Sequence, residues 1–342
     1  MAYRIKLSET PQQAVRRAGL EQIERAYLAV SPAGEGGSSI HETRKCLKRI
    51  RALLRLVRPG LDEDDFRREN ARYRDIARML SPERDAHILP ETLLKLEPYA
   101  VAADSKSIGA MKDHLRLMQL RPAASAAIGT AQTLLSQAKT QMADLLVNGD
   151  DFDPIEKGLR NGYRRGRKLF QRAFESPTDE NFHEWRKSVQ LHWRHMALMS
   201  RAWPDMFAAR VEAARQLSQI LGDAQDLSVL IGHVAGLVPD VPAATGTERL
   251  VRLARNRQQQ LRDLAQPRGA QLFSLSPKIL SRSIIETWQA ARVMENLPCQ
   301  LSCEKPAVLT KDSAAGEMVV NAPEPIPTQP RNVRRRRSRA ST

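Results

Sequence analysis

Hydrophobic residues recur at helical spacing along most of this chain. They return every three or four positions instead of alternating, which is the period of amphipathic α-helices and not of β-strands. Between residues 41 and 57, Leu47, Ile50 and Leu54 share one helical face, while charged side chains occupy the other. Because no segment shows convincing strand alternation, the pattern predicts an all-α fold.

Capping residues and helix breakers divide this pattern into separate helices. Thr10 precedes Pro11, an arrangement typical of a helix start. Pro59 is followed by glycine and ends the next helix, and an Asn-Gly-Asp sequence at residues 148–150 separates two halves of the chain. The predicted helices cover residues 11–30, 39–58, 62–80, 83–96, 104–119, 122–147, 152–174, 178–202, 205–221, 225–236, 245–265 and 270–293.

A short motif occurs twice. His-Glu-x-Arg-Lys stands at residues 41–45 and again at residues 183–187, with the two histidines 142 positions apart. A second pair of similar segments follows, at residues 74–85 and 215–226, offset by 141 positions. Two similarities at nearly one offset indicate a duplicated unit. We therefore predict an N-terminal helical half over residues 1–149 and a C-terminal helical half over residues 150–295.

The polar face of the first motif helix is cationic. On a helical wheel of ~100° per residue, this face carries a single histidine and five basic residues within about 80° of it. These residues are His41, Arg44, Lys45, Lys48, Arg51 and Arg55. Like charges at this spacing repel by about 0.2–0.5 kcal/mol per pair, and Glu42 is the only acid between His41 and Arg58. A bound anion explains such a face better than stability does, although a solvated charged face is the alternative.

The second motif helix carries fewer cations. His183, Arg186, Lys187 and Arg194 fall in a similar arc, but Gln190 stands where the first copy has Lys48. Other basic residues lie on neighbouring predicted helices and join the candidate site: Arg74, Arg164 and Arg167. His192 and His195 point to other faces and are interpreted as packing histidines. Asp85 and Asp226 are interpreted as structural acids at helix starts.

The charge of the whole chain points in the same direction. The formal net charge is +15. Residues from 298 onward hold eight Lys or Arg and four acids, which contribute +4 and leave +11 for the rest. Such an excess favours a polyanionic partner: nucleic acid, polyphosphate or an anionic membrane surface. Residues 296–342 are rich in Pro and Arg and are predicted to be a disordered basic tail.

Several functional classes lack support in the sequence. The three cysteines form neither a disulfide framework nor a zinc pattern, and no Gly-rich phosphate loop with Lys-Ser/Thr occurs. No apolar stretch has the roughly 20 residues that span a bilayer, and the first residues lack the apolar core of a secretory signal. We expect a cytoplasmic protein with no metal, no cofactor and no enzymatic activity.

The motifs together resemble the conserved histidine α-helical domain, CHAD, over about residues 3–293. The resemblance rests on seven segments, at residues 3–6, 16–17, 41–55, 84–85, 163–167, 183–187 and 221–227. It implies two pseudo-symmetric four-helix bundles around a basic central groove. It also implies binding of inorganic polyphosphate and association with polyphosphate granules or polyester storage granules. The site residues implied by the resemblance are His41, Arg44, Lys45, Lys48, Arg51, His183, Arg186 and Lys187.

Two other functions remain open at this point. Sequence-independent nucleic-acid binding is supported by the Arg-rich tail, but aromatic residues make up only 5% of the chain, so few bases could stack. Trp193 is one candidate platform and is interpreted as a packing residue. A reaction at the histidines is the third hypothesis. The Glu-x-Glu-x-Lys signature of the triphosphatase that often accompanies a CHAD domain does not occur in this chain.

Overall fold

The computed structural model describes residues 3–30, 36–80, 82–119, 125–149, 151–236 and 247–297. Over these residues the fold is entirely helical, which confirms the predicted class. Three short 3-10 turns supplement the α-helices, at Arg58–Gly60, Glu97–Tyr99 and Ala102–Asp104. The α-helices are α1 (Pro11–Ala29), α2 (Gly36–Val57), α3 (Glu63–Met79), α4 (Pro82–Leu96), α5 (Ser105–Gln119), α6 (Ser125–Asp144), α7 (Asp153–Glu175), α8 (Asp179–Met199), α9 (Pro204–Gly236), α10 (Thr247–Leu272) and α11 (Pro277–Glu295).

Side-chain caps explain where helices α1 and α8 begin. Thr10 accepts a hydrogen bond from the backbone of Gln13, and the Gln13 side chain accepts from the Thr10 backbone, so a capping box starts α1 as predicted. Thr178 caps α8 in the same manner by accepting from the backbone N–H of Asn181. The second motif therefore starts on the first turns of a well-capped helix.

The predicted break between residues 221 and 225 is wrong. Helix α9 runs without interruption from Pro204 to Gly236, so Asp226 lies inside a helix and not at a helix start. Gly222 is there because of a close approach: a Cβ atom at this position would lie 3.2 Å from Nη2 of Arg186. The glycine makes room for a side chain of the second motif and does not end the helix.

The boundary between α10 and α11 also differs from the prediction. Helix α10 continues through Pro267 to Leu272, and α11 starts only at Pro277, where Ser276 is the N-cap. Proline inside a helix removes a hydrogen bond and normally disfavours the conformation. Because Gly269 and Leu272 are buried beyond the proline, tertiary packing keeps this last segment helical.

Two hydrophobic cores hold residues 1–297 together as one compact unit. The first core combines α1, α2, α3 and α6 with α7, α8, the start of α9, the end of α10, and α11. The second core combines α4 and α5 with the distal part of α9 and with α10. Both cores thus mix helices from the two parts of the chain. The halves over residues 1–149 and 150–295 stay a prediction, and the predicted tail lies, from residue 298 onward, outside the described residues.

Gly158 allows the backbone of helix α7 to pack directly against the backbone of α2. A Cβ atom on Gly158 would lie 1.7 Å from the carbonyl oxygen of Leu56. One turn later, a Cβ atom on Gly162 would lie 3.3 Å from the ring of His195 on α8. Helix α7 therefore packs closely on the helices that carry both motif copies, which places α2 and α8 beside each other.

Two histidines of α8 are buried, as the sequence pattern predicted. The ring N–H at Nε2 of His195 donates to the carbonyl of Ala52 at 3.0 Å, and Nε2 of His192 accepts from Nε of Arg210 at 3.2 Å. Burial lowers the pKa of His195 to about 4. The pKa of His192 is also well below its usual value, because of burial and then the charge of Arg210. Both rings are neutral in the folded protein at pH 7.

The folded protein is expected to lose stability in mild acid. Since these rings bind a proton in the unfolded chain near pH 6.5 but not in the folded one, stability is full above pH 6.5 and falls below it. The pKa shift of His195 alone corresponds to about 2 kcal/mol lost between pH 7 and pH 5. Urea unfolding at both pH values measures this. H195Q, which keeps a donor for the carbonyl of Ala52, should lose less stability between pH 7 and pH 5 than the native protein. An equal urea midpoint of the native protein at the two pH values would contradict the assignment of neutral, buried histidines.

Candidate anion-binding pocket

A pocket of about 860 Å³ is formed by residues of α2, α3, α7 and α8 and of the turn that follows α2. Eleven basic residues and two glutamates line it, so its formal charge is +9 with neutral histidine. The charged lining residues are Arg44, Lys48, Arg51, Arg55, Arg58, Glu63, Arg74, Arg78, Arg165, Glu184, Arg186, Lys187 and Arg194. Both copies of the repeated motif contribute to the wall.

The structure brings together nine of the thirteen residues that the sequence predicted for the site. These nine are Arg44, Lys48, Arg51, Arg55, Arg74, His183, Arg186, Lys187 and Arg194. Sequence reasoning missed three cations of the lining, Arg58, Arg78 and Arg165. The signal for Arg78 was its spacing of four residues from Arg74, which places both on one face of α3. Neither Arg58 nor Arg165 follows from a helical wheel of the motif helix.

Four predicted site residues lie outside the lining, which corrects the helical-wheel assignment. His41 is exposed on α2, and Lys45 points toward Glu42, with Nζ 3.4 Å from the carboxylate. Arg164 donates to Asn161 at 3.1 Å, and Arg167 donates to the carbonyl of Leu275 at 3.1 Å. The wheel gives the direction of a side chain around one helix, but not which neighbouring element covers it.

Helix α3 orients the cations of α2. Nη1 of Arg44 donates to the carbonyl of Ala77 at 2.5 Å, near the C-terminal end of α3. Nε of Arg51 donates to the side chain of Asn70 at 3.1 Å. Arg55 has neither a hydrogen bond nor an ion pair to any residue in the described part of the chain. The hydrophobic face of α2 is fully buried in the first core, so these guanidinium groups project from a fixed helix.

The arginines of the pocket lower one another's pKa values. Burial, together with the charges of Arg51 and Arg165, lowers the pKa of Arg55 to about 10. Arg51 is shifted in the same direction by burial and then by Arg74 and Arg78. All of these groups remain charged at pH 7. Because desolvation and like-charge repulsion both disfavour the cations, an anion in the pocket is favoured.

Helix α8 supplies the opposite cations. Gly222 of α9 leaves space for Arg186, and Trp185 and Val189 anchor the other side of α8 in the core. Arg194 is 7% exposed. Burial lowers its pKa to about 10, and its Nη1 donates to the carbonyl of Gln190 at 2.7 Å. A charge this deep is stabilised by any anion that enters the pocket.

Two guanidinium groups lie close to the ring of Trp193. Those of Arg194 and Arg215 lie 4.3 Å and 5.1 Å from its ring centroid. The ring also packs against the first core. This arrangement supports the interpretation of Trp193 as a packing residue, since its cation–π contacts already occupy the ring.

His183 presents a neutral ring to the pocket at pH 7. The side chain is half-buried, and its pKa is lowered by burial and then by the charges of Lys187 and Arg186. Its Nδ1 atom is buried without a hydrogen-bond partner in the described residues. A bound polyanion would counteract these charges. Without a bound anion, the His183 ring therefore gains a proton and a positive charge only at a pH below the usual titration range of histidine.

The described residues contain neither a metal-binding cluster nor a helix that could span a membrane. No three His, Cys, Asp or Glu side chains come together there as a metal-binding group. None of the helices in the described ranges is both long and apolar enough to cross a membrane.

The fold and the pocket define an all-helical protein with a cationic cavity between two copies of one motif. A family model described as the CHAD domain matches residues 15–235, which is more than half of the chain. The chain therefore belongs to the CHAD family. No curated protein matches it.

A solved structure supports the fold. The chain is similar to the crystal structure of the CHAD domain from the plant Ricinus communis, with 17% sequence identity and a TM-score of 0.53. The similarity covers 79% of this chain and 94% of that one. At this level of identity, the comparison concerns the architecture of the helices and not the chemistry of the pocket.

Proposed function

We propose that this protein binds inorganic polyphosphate in the pocket between α2 and α8, without catalysing a reaction. The CHAD domain is associated in general with polyphosphate binding. The observation that carries the proposal is the +9 charge of a lining to which both motif copies contribute. The groove that the sequence predicted is thereby assigned to this pocket.

The chemistry of the ligand matches the lining. Polyphosphate carries a negative charge on every unit, so a row of cations displaces its condensed counterions, as it does for DNA. Arginine forks bond two phosphate oxygens at once, and nine of the eleven basic residues of the lining are arginines.

 The other two basic residues of the lining are Lys48 and Lys187. Arg55 makes no hydrogen bond or ion pair within the described residues, so its guanidinium group can bond such a ligand without breaking an existing contact.

Sequence-independent nucleic-acid binding is the alternative function. Proteins that bind single-stranded nucleic acid without sequence preference stack the bases on aromatic side chains. The pocket lining contains no Phe, Tyr or Trp, and Trp193 is flanked by two arginines. The pocket therefore offers charge without a stacking surface, which favours polyphosphate.

The proposal of a non-catalytic role rests on the acids and the histidine of the pocket. Glu63 and Glu184 are both engaged with basic side chains, and His183 is the one histidine of the lining. Release of phosphate from polyphosphate by the purified protein would contradict this part of the proposal. We further propose that polyphosphate binding places the protein on polyphosphate granules or polyester storage granules, which localisation of a fluorescent fusion tests.

A filter-binding titration of the full chain against chains of tens of phosphates tests the proposed function. Affinity is expected to fall steeply as salt rises, because several ionic contacts release counterions. Deleting residues 298–342 should reduce affinity modestly and leave the salt slope mostly unchanged. Absence of binding at moderate salt would reject the proposal, and loss of binding on deletion would place the site in the tail. Duplex DNA at equal charge concentration should not displace the polyphosphate.

A further inference from the structure

The glutamate of the second motif copy lies in the pocket and is held by two of its cations. Oε1 of Glu184 accepts a hydrogen bond from Nζ of Lys187 at 2.5 Å, and Oε2 accepts from Nη2 of Arg165 at 3.2 Å. Burial alone would raise the pKa of Glu184, but the hydrogen bond and charge of Lys187 and the charge of Arg165 lower it. The carboxylate is therefore ionised at neutral pH.

The equivalent glutamate of the first copy lies outside the pocket. Glu42 contacts Lys45 at 3.4 Å, as Glu184 contacts Lys187, and it also pairs with Arg25 at 2.9 Å. The two glutamate side chains are almost equally exposed, at 24% for Glu42 and 26% for Glu184. The same motif position thus carries an anion that lines the pocket in one copy and an anion that lies outside the pocket in the other.

The second acid of the lining has a different setting. Glu63 pairs with Arg58 at 2.8 Å and with Arg67 at 3.1 Å, and its side chain is 44% exposed. Solvent screens such an exposed pair, which is worth little in either direction. Glu184 is the less exposed of the two acids, so its charge acts more strongly on a ligand in the pocket.

A polyanion that uses Lys187 and Arg165 must compete with Glu184 for them. A ligand with closely spaced charges can replace the carboxylate at both cations and still contact the other walls. Polyphosphate links successive phosphates through one oxygen, whereas a nucleic-acid strand separates them by a sugar. The strand offers fewer charges to the same pocket, so it leaves Glu184 in place and meets a repulsive carboxylate.

We propose that Glu184 is a specificity-determining residue that excludes polyanions of low charge density from the pocket. This inference rests on the proposed function, since it concerns the choice among polyanions at the same site. Binding sites commonly gain specificity from an element that repels the wrong ligand. Here the repelling element is part of the repeated motif, and only one copy places it in the pocket.

The test compares E184Q with E42Q, which makes the same change at the same motif position outside the pocket. Each full-length protein is titrated with long-chain polyphosphate and with single-stranded DNA of equal total charge, at one salt concentration. E184Q is expected to bind the DNA about tenfold more tightly and polyphosphate about twofold more tightly, a difference in preference of about fivefold. E42Q should change neither affinity by more than about twofold.

Each outcome of this comparison is decisive. An unchanged ratio of the two affinities in E184Q, or an equal shift in E42Q, overturns the inference even when the native protein binds polyphosphate. Failure of the native protein to bind polyphosphate rejects the proposed function itself. Circular dichroism of both variants shows whether the helices are intact, and a polyphosphate affinity retained by E184Q shows that its pocket is assembled.

Discussion

Replacing Arg51 and Arg186 together with glutamate is expected to weaken polyphosphate binding by about 100-fold or more, which corresponds to about 3 kcal/mol. The two residues lie on α2 and α8, so the double variant alters the contribution of both motif copies. It lowers the formal charge of the lining from +9 to +5, since each reversal removes two charges. The measurement is a filter-binding titration at fixed salt.

A matched control separates this effect from net charge. R116E/R282E makes the same change in total charge at two exposed arginines of α5 and α11 that are outside the lining. This control should bind polyphosphate within a fewfold of the native protein, and both variants should keep their helicity. Equal losses in the two variants would mean that overall charge, and not the pocket, binds the polymer.

Replacing Gly158 with alanine is expected to lower the free energy of unfolding by about 3 kcal/mol. The added methyl group would lie 1.7 Å from the carbonyl oxygen of Leu56, so α7 must move away from α2. The cavity wall formed by these helices moves with it. Urea denaturation of G158A at pH 7 measures the loss, and polyphosphate affinity should fall as well.

Gly109 provides the control for this substitution. It also lies within a helix, α5, but a Cβ atom there would meet nothing within 4 Å. Alanine is preferred over glycine in a helix interior by about 0.8–1.0 kcal/mol, so G109A is expected to be slightly more stable than the native protein. If the two variants had the same stability, the close contact between α7 and α2 would not be what sets their spacing.

Much of the fold follows from local signals in the sequence. The capping box at Thr10 and the cap at Thr178 fix two helix starts to within a residue or two of the prediction. The apolar side of α2 is buried as its periodicity indicates. These features depend on neighbours in the sequence, which is why they can be predicted without knowledge of the fold.

Other parts of the fold depend on contacts between distant segments. Gly222 lies inside the continuous helix α9 and makes room for Arg186, a contact that no local pattern contains. The second core joins α4 and α5 to α9 and α10. A periodic pattern identifies the buried face of each helix but does not say which helix covers it.

The same limit applies to predicting which residues line the candidate site. The motif spacing predicted Arg44, Arg51 and Arg186 correctly as residues that share one pocket, because they project from the polar side of amphipathic helices. Lys45 lies on the same arc of α2, but its side chain pairs with Glu42 and does not line the pocket. Arg165 enters the pocket because α7 packs closely at Gly158, a tertiary feature that the motif does not contain.

A structure of the protein with long-chain polyphosphate bound tests the central claim most directly. We expect a continuous chain of phosphates in the pocket, in contact with Arg51 on one wall and Arg186 on the other. A polymer bound elsewhere on the protein, with this pocket left empty, would contradict it.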